Sequence, residues 1–219
     1  ETNQTIAERN GVEMYDVYTG FKWIANVMRE NEGKKNYIGG GEESYGFLCE
    51  DFVRDKDAVS ACVILAEIAA WAKDQGLSLY QLLQKIYVEY GFSKEKGISV
   101  VKKGKSGAEE IEAMMKKFRE NPLTEIAGSK VTYFYDYSTL KGKDYAENET
   151  VTLDMPTTSN VLQYFTEDNT KVSIRPSGTE PKIKFYCEVH SKVKSIDELP
   201  EAEKAAEEKI NQIKASLGI

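Results

Sequence analysis

The pattern of this sequence calls for α/β plus α+β architecture. A three-layer α/β/α domain is expected over residues 1–98, incomplete at its N-terminus, with an α+β domain over 99–219. Three observations carry that expectation. In the first part, strand-like and helix-like stretches alternate, as in layered α/β units. In the second part, strand-like stretches follow one another and are bracketed by two helical patterns, the mark of an α+β arrangement. Between them, residues 92–107 gather five lysines and three glycines and read as a crossing or linker segment.

Each element has its own reason. Thr5 to Asn10, with Gly11 as a C-terminal cap, reads as the end of a helix that nothing precedes, so the chain reads as cut from a longer one. Val12 to Val17 alternates like a short strand. Thr19 is a good N-cap for a helix whose apolar face is Phe21, Ile24, Val27 and Met28. Lys22 falls in that helix's first turn, where the macrodipole disfavours a cation unless an anion docks there. Asn36 to Ile38 is a short strand, and Gly39 to Gly46 follows as a glycine-rich loop with the acidic pair Glu42 and Glu43 and the hydroxyl of Ser44. Carboxylates and hydroxyls are what vicinal sugar hydroxyls need, each of which can donate to one group and accept from another. A solvated loop with surface glutamates has the same composition.

Asp57 caps a helix from Ala58 to Lys73 whose apolar residues, from Val59 to Trp71, cover most of the circumference; burial is expected. Ser78 to Gln81 is a capping box for the next helix, which Gly91 stops. Ala108 to Asn121 reads as a helix with Ile111, Met114, Met115 and Phe118 inward. Lys130 to Tyr137 reads as a strand with Tyr133, Tyr135 and Tyr137 on one face, and Lys141 to Thr150 as a polar loop. Asn160 to Phe165 and Lys171 to Ile174 form a hairpin. Ile183 to Val189 alternates cleanly, and a helix from Glu201 to Leu217 closes the chain.

The strands Lys171 to Ile174 and Ile183 to Val189 hold between them the octapeptide Arg175-Pro176-Ser177-Gly178-Thr179-Glu180-Pro181-Lys182. Pro176 fixes φ, Gly178 permits φ > 0, and Ser177 and Thr179 place hydroxyls beside backbone amides. Amides turned inward make an anion-binding concavity, and Arg175 supplies a planar fork suited to a phosphate dianion. A plain tight turn needs the proline and glycine but not the arginine and hydroxyls.

Totals narrow the classes. With 41% hydrophobic and 30% charged residues, the chain is an ordinary globular composition. Its net charge of −7 argues against a general nucleic-acid surface and for a small phosphorylated metabolite held by a few chosen cations. The cysteines Cys49, Cys62 and Cys187 are odd in number and lack CxxC spacing, so reduced core thiols in a cytoplasmic protein are expected. No stretch reads as a signal peptide or as a bilayer span, so no membrane partner is expected.

Three motifs, TGFKWI at Thr19–Ile24, GEESYG at Gly41–Gly46 and RPSGTEPK at Arg175–Lys182, closely resemble those of the α-D-phosphohexomutase superfamily, within it the bacterial phosphoglucomutase/phosphomannomutase family. The resemblance covers essentially the whole chain. It implies domains 3 and 4 of a four-domain enzyme, the fourth with a fold like that of the TATA-binding protein. It implies Glu42 and Ser44 on the hexose hydroxyls, and Arg175, Ser177, Gly178 and Thr179 on the phosphate that is not being transferred. Lys22 would help at the substrate. The full enzyme would use Mg2+ and a hexose 1,6-bisphosphate activator, neither bound by residues of this chain. Its partners would be a phosphorylated hexose and domains 1 and 2 of the same polypeptide. The family's phosphoserine loop and its DGDxDR metal loop have no counterpart here. The resemblance therefore implies that this chain recognises substrate, is inactive alone, and has no catalytic or metal residue. His190, the sole histidine, reads as a strand residue and not a base. Two alternatives stay open at this point. One is a stand-alone module that binds a sugar phosphate or other anion. The other is a phosphopentomutase or phosphoglucosamine mutase of the same superfamily.

Overall fold

A computed structural model describes residues 2–42, 44–102, 104–178 and 180–219; Glu1, Glu43, Lys103 and Thr179 lie outside it. The chain divides into two units, Glu1–Tyr90 and Gly91–Ile219. The second unit therefore begins ahead of residue 99, because the lysine- and glycine-rich segment is not a linker. It is a ten-residue strand of the second unit's sheet.

In the first unit, α1 (Thr2–Arg9), α2 (Phe21–Glu30), α3 (Ala58–Asp74) and α4 (Leu79–Tyr90) accompany a ribbon of β1 (Gly39–Gly41) and β2 (Phe47–Cys49). Val12 to Val17 is not a strand. The expected strand at Asn36 to Ile38 lies one step later, on the glycines themselves, with Gly40 opposite Leu48. The N-cap of α2 is Gly20, not Thr19: its φ of +116° is one that a residue with a Cβ rarely adopts, and no side chain caps this end. Asp57 does cap α3, accepting from the Ser60 N–H at 2.8 Å. Ser78 and Gln81 close the capping box, Gln81 Oε1 accepting from the Ser78 N–H at 2.8 Å and Ser78 Oγ from the Gln81 N–H at 3.2 Å.

The expected burial of α3 fails. Only Ala72 is buried, while Val59 is 73% and Trp71 55% exposed. Two three-residue strands are too little surface to cover a helix that is apolar all round. Packed residues of this unit are instead Phe21, Met28 and Leu48, with Ile24 and Tyr37 against them.

The strands of the second unit are β3 (Phe92–Val101), β4 (Glu125–Ile126), β5 (Ser129–Asp136), β6 (Lys141–Asp144), β7 (Glu149–Thr152), β8 (Leu162–Thr166), β9 (Lys171–Pro176) and β10 (Lys182–Ser191). Their pairings are antiparallel, in the order β3-β10-β9-β8-β5-β6-β7, with β4 on β5. The segment read as a polar loop is thus the hairpin β6–β7. Alternation decides the layers. Ile183, Phe185, Cys187 and Val189 of β10 and Val172 and Ile174 of β9 are buried beneath α5 (Gly104–Glu120) and α6 (Leu199–Leu217). Phe118 of α5 meets Phe185 edge-on, and Ala206, Ile210, Ile213 and Leu217 form the inner stripe of α6. Helices on one face of an antiparallel sheet make this unit α+β, as read from the strand pattern. Among the described residues no helix is long and apolar enough to cross a membrane.

Candidate functional site

The expected site residues fall in both units, and each unit gathers its own. In the first, the turn between β1 and β2 closes when Glu42 N–H donates to Gly46 O at 2.8 Å. Ser44 is exposed, Glu42 half-buried, and Tyr45 stands 98% exposed with φ +69°. Glu43 lies outside the described residues.

The glycines here have steric reasons inside the protein. A Cβ on Gly40 would sit 2.6 Å from Tyr37 Oη and 3.1 Å from Ile24 Cγ2. What lies against Gly40 is therefore the chain's own α2 and Tyr37. Burial pushes the Tyr37 phenol up to about 12, so it stays a donor, to Leu48 O at 3.3 Å. A Cβ on Gly46 would lie 2.8 Å from Lys56 Cδ and closer still to Glu42 Oε2. The Lys56 ammonium lies 5.9 Å from the Phe21 ring and 3.1 Å from Asp55 Oδ1. Through these contacts the start of α2, the β1–β2 turn and the approach to α3 meet at one end of the unit. Lys56, just ahead of α3, reaches this turn through its packing on Gly46. Lys22 is exposed in the first turn of α2, its ammonium 5.0 Å from the Trp23 ring.

In the second unit the loop after β9 is tied to its own ends. Ser177 N–H donates to Lys182 O at 2.8 Å, Lys182 N–H to Glu180 O at 2.7 Å, and Glu180 N–H to Ser177 Oγ at 3.3 Å. Glu180 also pairs with Lys182, which holds its carboxyl below the usual range. This corrects the expectation of free amides, because that of Ser177 is engaged within the turn. Gly178 also departs from expectation. Its φ is not in the left-handed region, it is exposed, and a Cβ there would meet nothing within 4 Å. The described surroundings give no steric reason for a glycine at 178, unlike 40 and 46. Thr179, the other hydroxyl of the motif, lies outside the described residues.

Arg175 is half-buried on the sheet face away from α5 and α6, directly opposite Lys184 of β10. Lys184 in turn faces Ser99 of β3. Like charges directly opposite on one sheet face repel, and an anion placed between them reverses the sign. Lys184 is a residue the sequence reading missed. Its signal was available: it lies on the polar face of an alternating strand, two residues past the motif.

Neighbouring groups on that face are ordered by hydrogen bonds. Tyr137 Oη donates to Gln163 Oε1 at 2.7 Å, and Gln163 Nε2 to Ser173 Oγ at 3.0 Å. His190 Nε2 lies 3.0 Å from Glu188 Oε1, so His190 is a paired strand residue. Among the described residues no group of three or more histidines, cysteines or carboxylates is arranged to hold a metal ion.

Comparison with known proteins follows the same division. The family description "Phosphoglucomutase/phosphomannomutase, alpha/beta/alpha domain III" matches residues 2–90, and "Phosphoglucomutase/phosphomannomutase, C-terminal domain" matches 99–206. The chain is 36% identical over 190 residues to a phosphoglucomutase of Staphylococcus haemolyticus, an alignment covering 87% of this chain and 34% of that protein. It is 40% identical over 186 residues to a phosphoglucomutase of Staphylococcus aureus, covering 85% and 33%. The chain thus spans about a third of the length of these relatives. A solved structure, the open form of the exocytosis-sensitive phosphoprotein pp63/parafusin, a phosphoglucomutase from Paramecium, superposes with a TM-score of 0.56. At 20% identity, over 88% of this chain and 31% of that one, the likeness is one of fold.

Proposed function

Since the chain belongs to the phosphoglucomutase/phosphomannomutase family and carries its third and fourth domains, we propose that it is the substrate-recognition half of a longer enzyme. That enzyme interconverts hexose 1-phosphate and hexose 6-phosphate through a phosphoserine and a bisphosphorylated sugar. The phosphoserine, the Mg2+ site and the activating bisphosphate belong to preceding domains of the same polypeptide, and no residue of this chain is assigned to them.

One observation carries the reading: the cross-strand cation pair Arg175–Lys184 beside a glycine that the described surroundings do not require. Neither feature stabilises the fold, yet both suit a phosphate brought close to the backbone. The pair and the loop hold the distal phosphate by charge and geometry and exchange no proton with it. Glu42 and Ser44 accept from and donate to the hexose hydroxyls, whichever end of the sugar is presented. Lys22 and the unfilled N-terminus of α2, with Lys56 beside Glu42, add positive potential at the sugar end.

The test uses the full-length enzyme in a coupled assay with glucose 1-phosphate and mannose 1-phosphate. Arg175→Ala is expected to raise KM by about tenfold or more, the loss of a charge-assisted bond worth roughly 1.5–3 kcal/mol, with kcat little changed. Unchanged kinetics would remove the phosphate assignment. Glu42→Ala is expected to abolish hexose recognition while inorganic phosphate still binds; loss of both would end the proposed division of labour.

A further inference from the structure

We infer that Gly107, in the first turn of α5, is a positioning residue for the loop of residues 177–181, an inference that rests on reading that loop as the phosphate holder. The connection runs through Lys102, the residue after β3. Its N–H donates to Pro181 O at 2.9 Å and so fixes the far shoulder of the loop. Its carbonyl is pressed against Gly107: a Cβ there would lie 2.6 Å from the Lys102 carbonyl carbon, 2.8 Å from its Cβ, and closer still to its oxygen. Its ammonium pairs with Glu110 of α5 at 3.0 Å. Lys102 is therefore held by the helix on one side and holds the loop on the other.

Between the first turns of α5 (Gly104, Ala108, Ile111) and the loop (Ser177, Gly178, Pro181) lies an open pocket of about 360 Å³. Across that space, among the described residues, the Lys102 N–H ties Pro181 to the chain that leads into α5. A methyl group at 107 collides with backbone, which cannot rotate away as a side chain can. Lys102 must move, and Pro181 moves with it. The anion site is shaped by this distance, because amides and an arginine fork act on a phosphate only when held at hydrogen-bond range.

The experiment compares proton–nitrogen correlation spectra of the 219-residue chain and of Gly107→Ala, first alone and then titrated with inorganic phosphate. The expected result is displaced amide signals for Ser177, Gly178 and Glu180 in the unliganded variant, and phosphate affinity about tenfold weaker. Loop signals that stay in place in Gly107→Ala overturn the inference, whatever phosphate does. Displaced loop signals with no phosphate binding to either protein uphold the brace and overturn the phosphate reading instead. If Gly107→Ala does not fold, Lys102→Pro removes the donor to Pro181 without adding volume at α5, and the same signals decide.

Discussion

Lys184 sets two demands against each other. Opposed to Arg175 on one sheet face, it costs the unliganded fold a few tenths of a kcal/mol. Lys184→Gln is therefore expected to raise the melting temperature slightly without ligand and to lower phosphate affinity several-fold, the trade of stability for function seen at many binding sites. Melting curves with and without phosphate check both signs. Glu188 gives a pH prediction. Burial works to raise its pKa, but the hydrogen bond from His190 prevails and, with the charge of Lys171, its neighbour on β9, holds the carboxyl below the usual carboxylate range. A depressed carboxyl contributes stability above its unfolded pKa and loses it as pH falls through the folded value. The second unit should thus lose stability as pH falls below the ordinary carboxylate range, and Glu188→Gln should flatten that limb of an acid titration followed by circular dichroism. Cys187 is buried and its thiol is pushed up to about 11 by that burial. At pH 8 it should resist a thiol reagent that labels exposed Cys62, as mass spectrometry of the native protein would show.

Among the elements, α3 depends on its first residue. Asp57→Ala removes the acceptor for the Ser60 N–H and should cost about 1 kcal/mol, measured by denaturant unfolding. Arg119 of α5 donates from Nε to the buried Asp136 carboxylate at 2.9 Å and from its guanidinium to Asn160 at 2.9 Å. Arg119→Ala leaves that carboxylate without its cation and should cost about 3–5 kcal/mol by the same measurement. Helices were legible in the sequence because caps and a 3.6-residue apolar period are local signals. Among the strands that escaped are β3 and the hairpin β6–β7, and their physics explains it. Lys94 and Lys96 of β3 point at Glu203 and Glu207 of α6, so an edge strand carries charge where an inner strand carries valine. β1 escaped because it is three glycines, a composition that normally breaks a strand. The arginine loop was legible because its residues are contiguous. Lys184 and Lys56 were not singled out, since only cross-strand register and the packing on Gly46 bring them to the site.

Taken whole, the molecule has unevenly distributed cohesion. The first unit packs around Phe21, Met28 and Leu48, while the second buries a continuous layer from Val172 and Phe185 to Ile210 and Ile213. Amide hydrogen exchange should therefore be faster throughout α3 and α4 than in β9 and β10; equal protection in both would contradict the difference in packing. The order in which the sheet forms also follows from its pairing. β10 lies between β9, its neighbour in the chain, and β3, which it meets over ten residue pairs from Lys182–Val101 to Ser191–Phe92. The stretch from α5 to β9 separates β3 from β10 in the chain, and such distant pairings are slow to find. That slow seam also carries the tie between Lys102 and Pro181. During refolding, then, phosphate competence should lag behind the helical signal, and a chain released from synthesis before β10 would be folded in part but unable to hold its substrate.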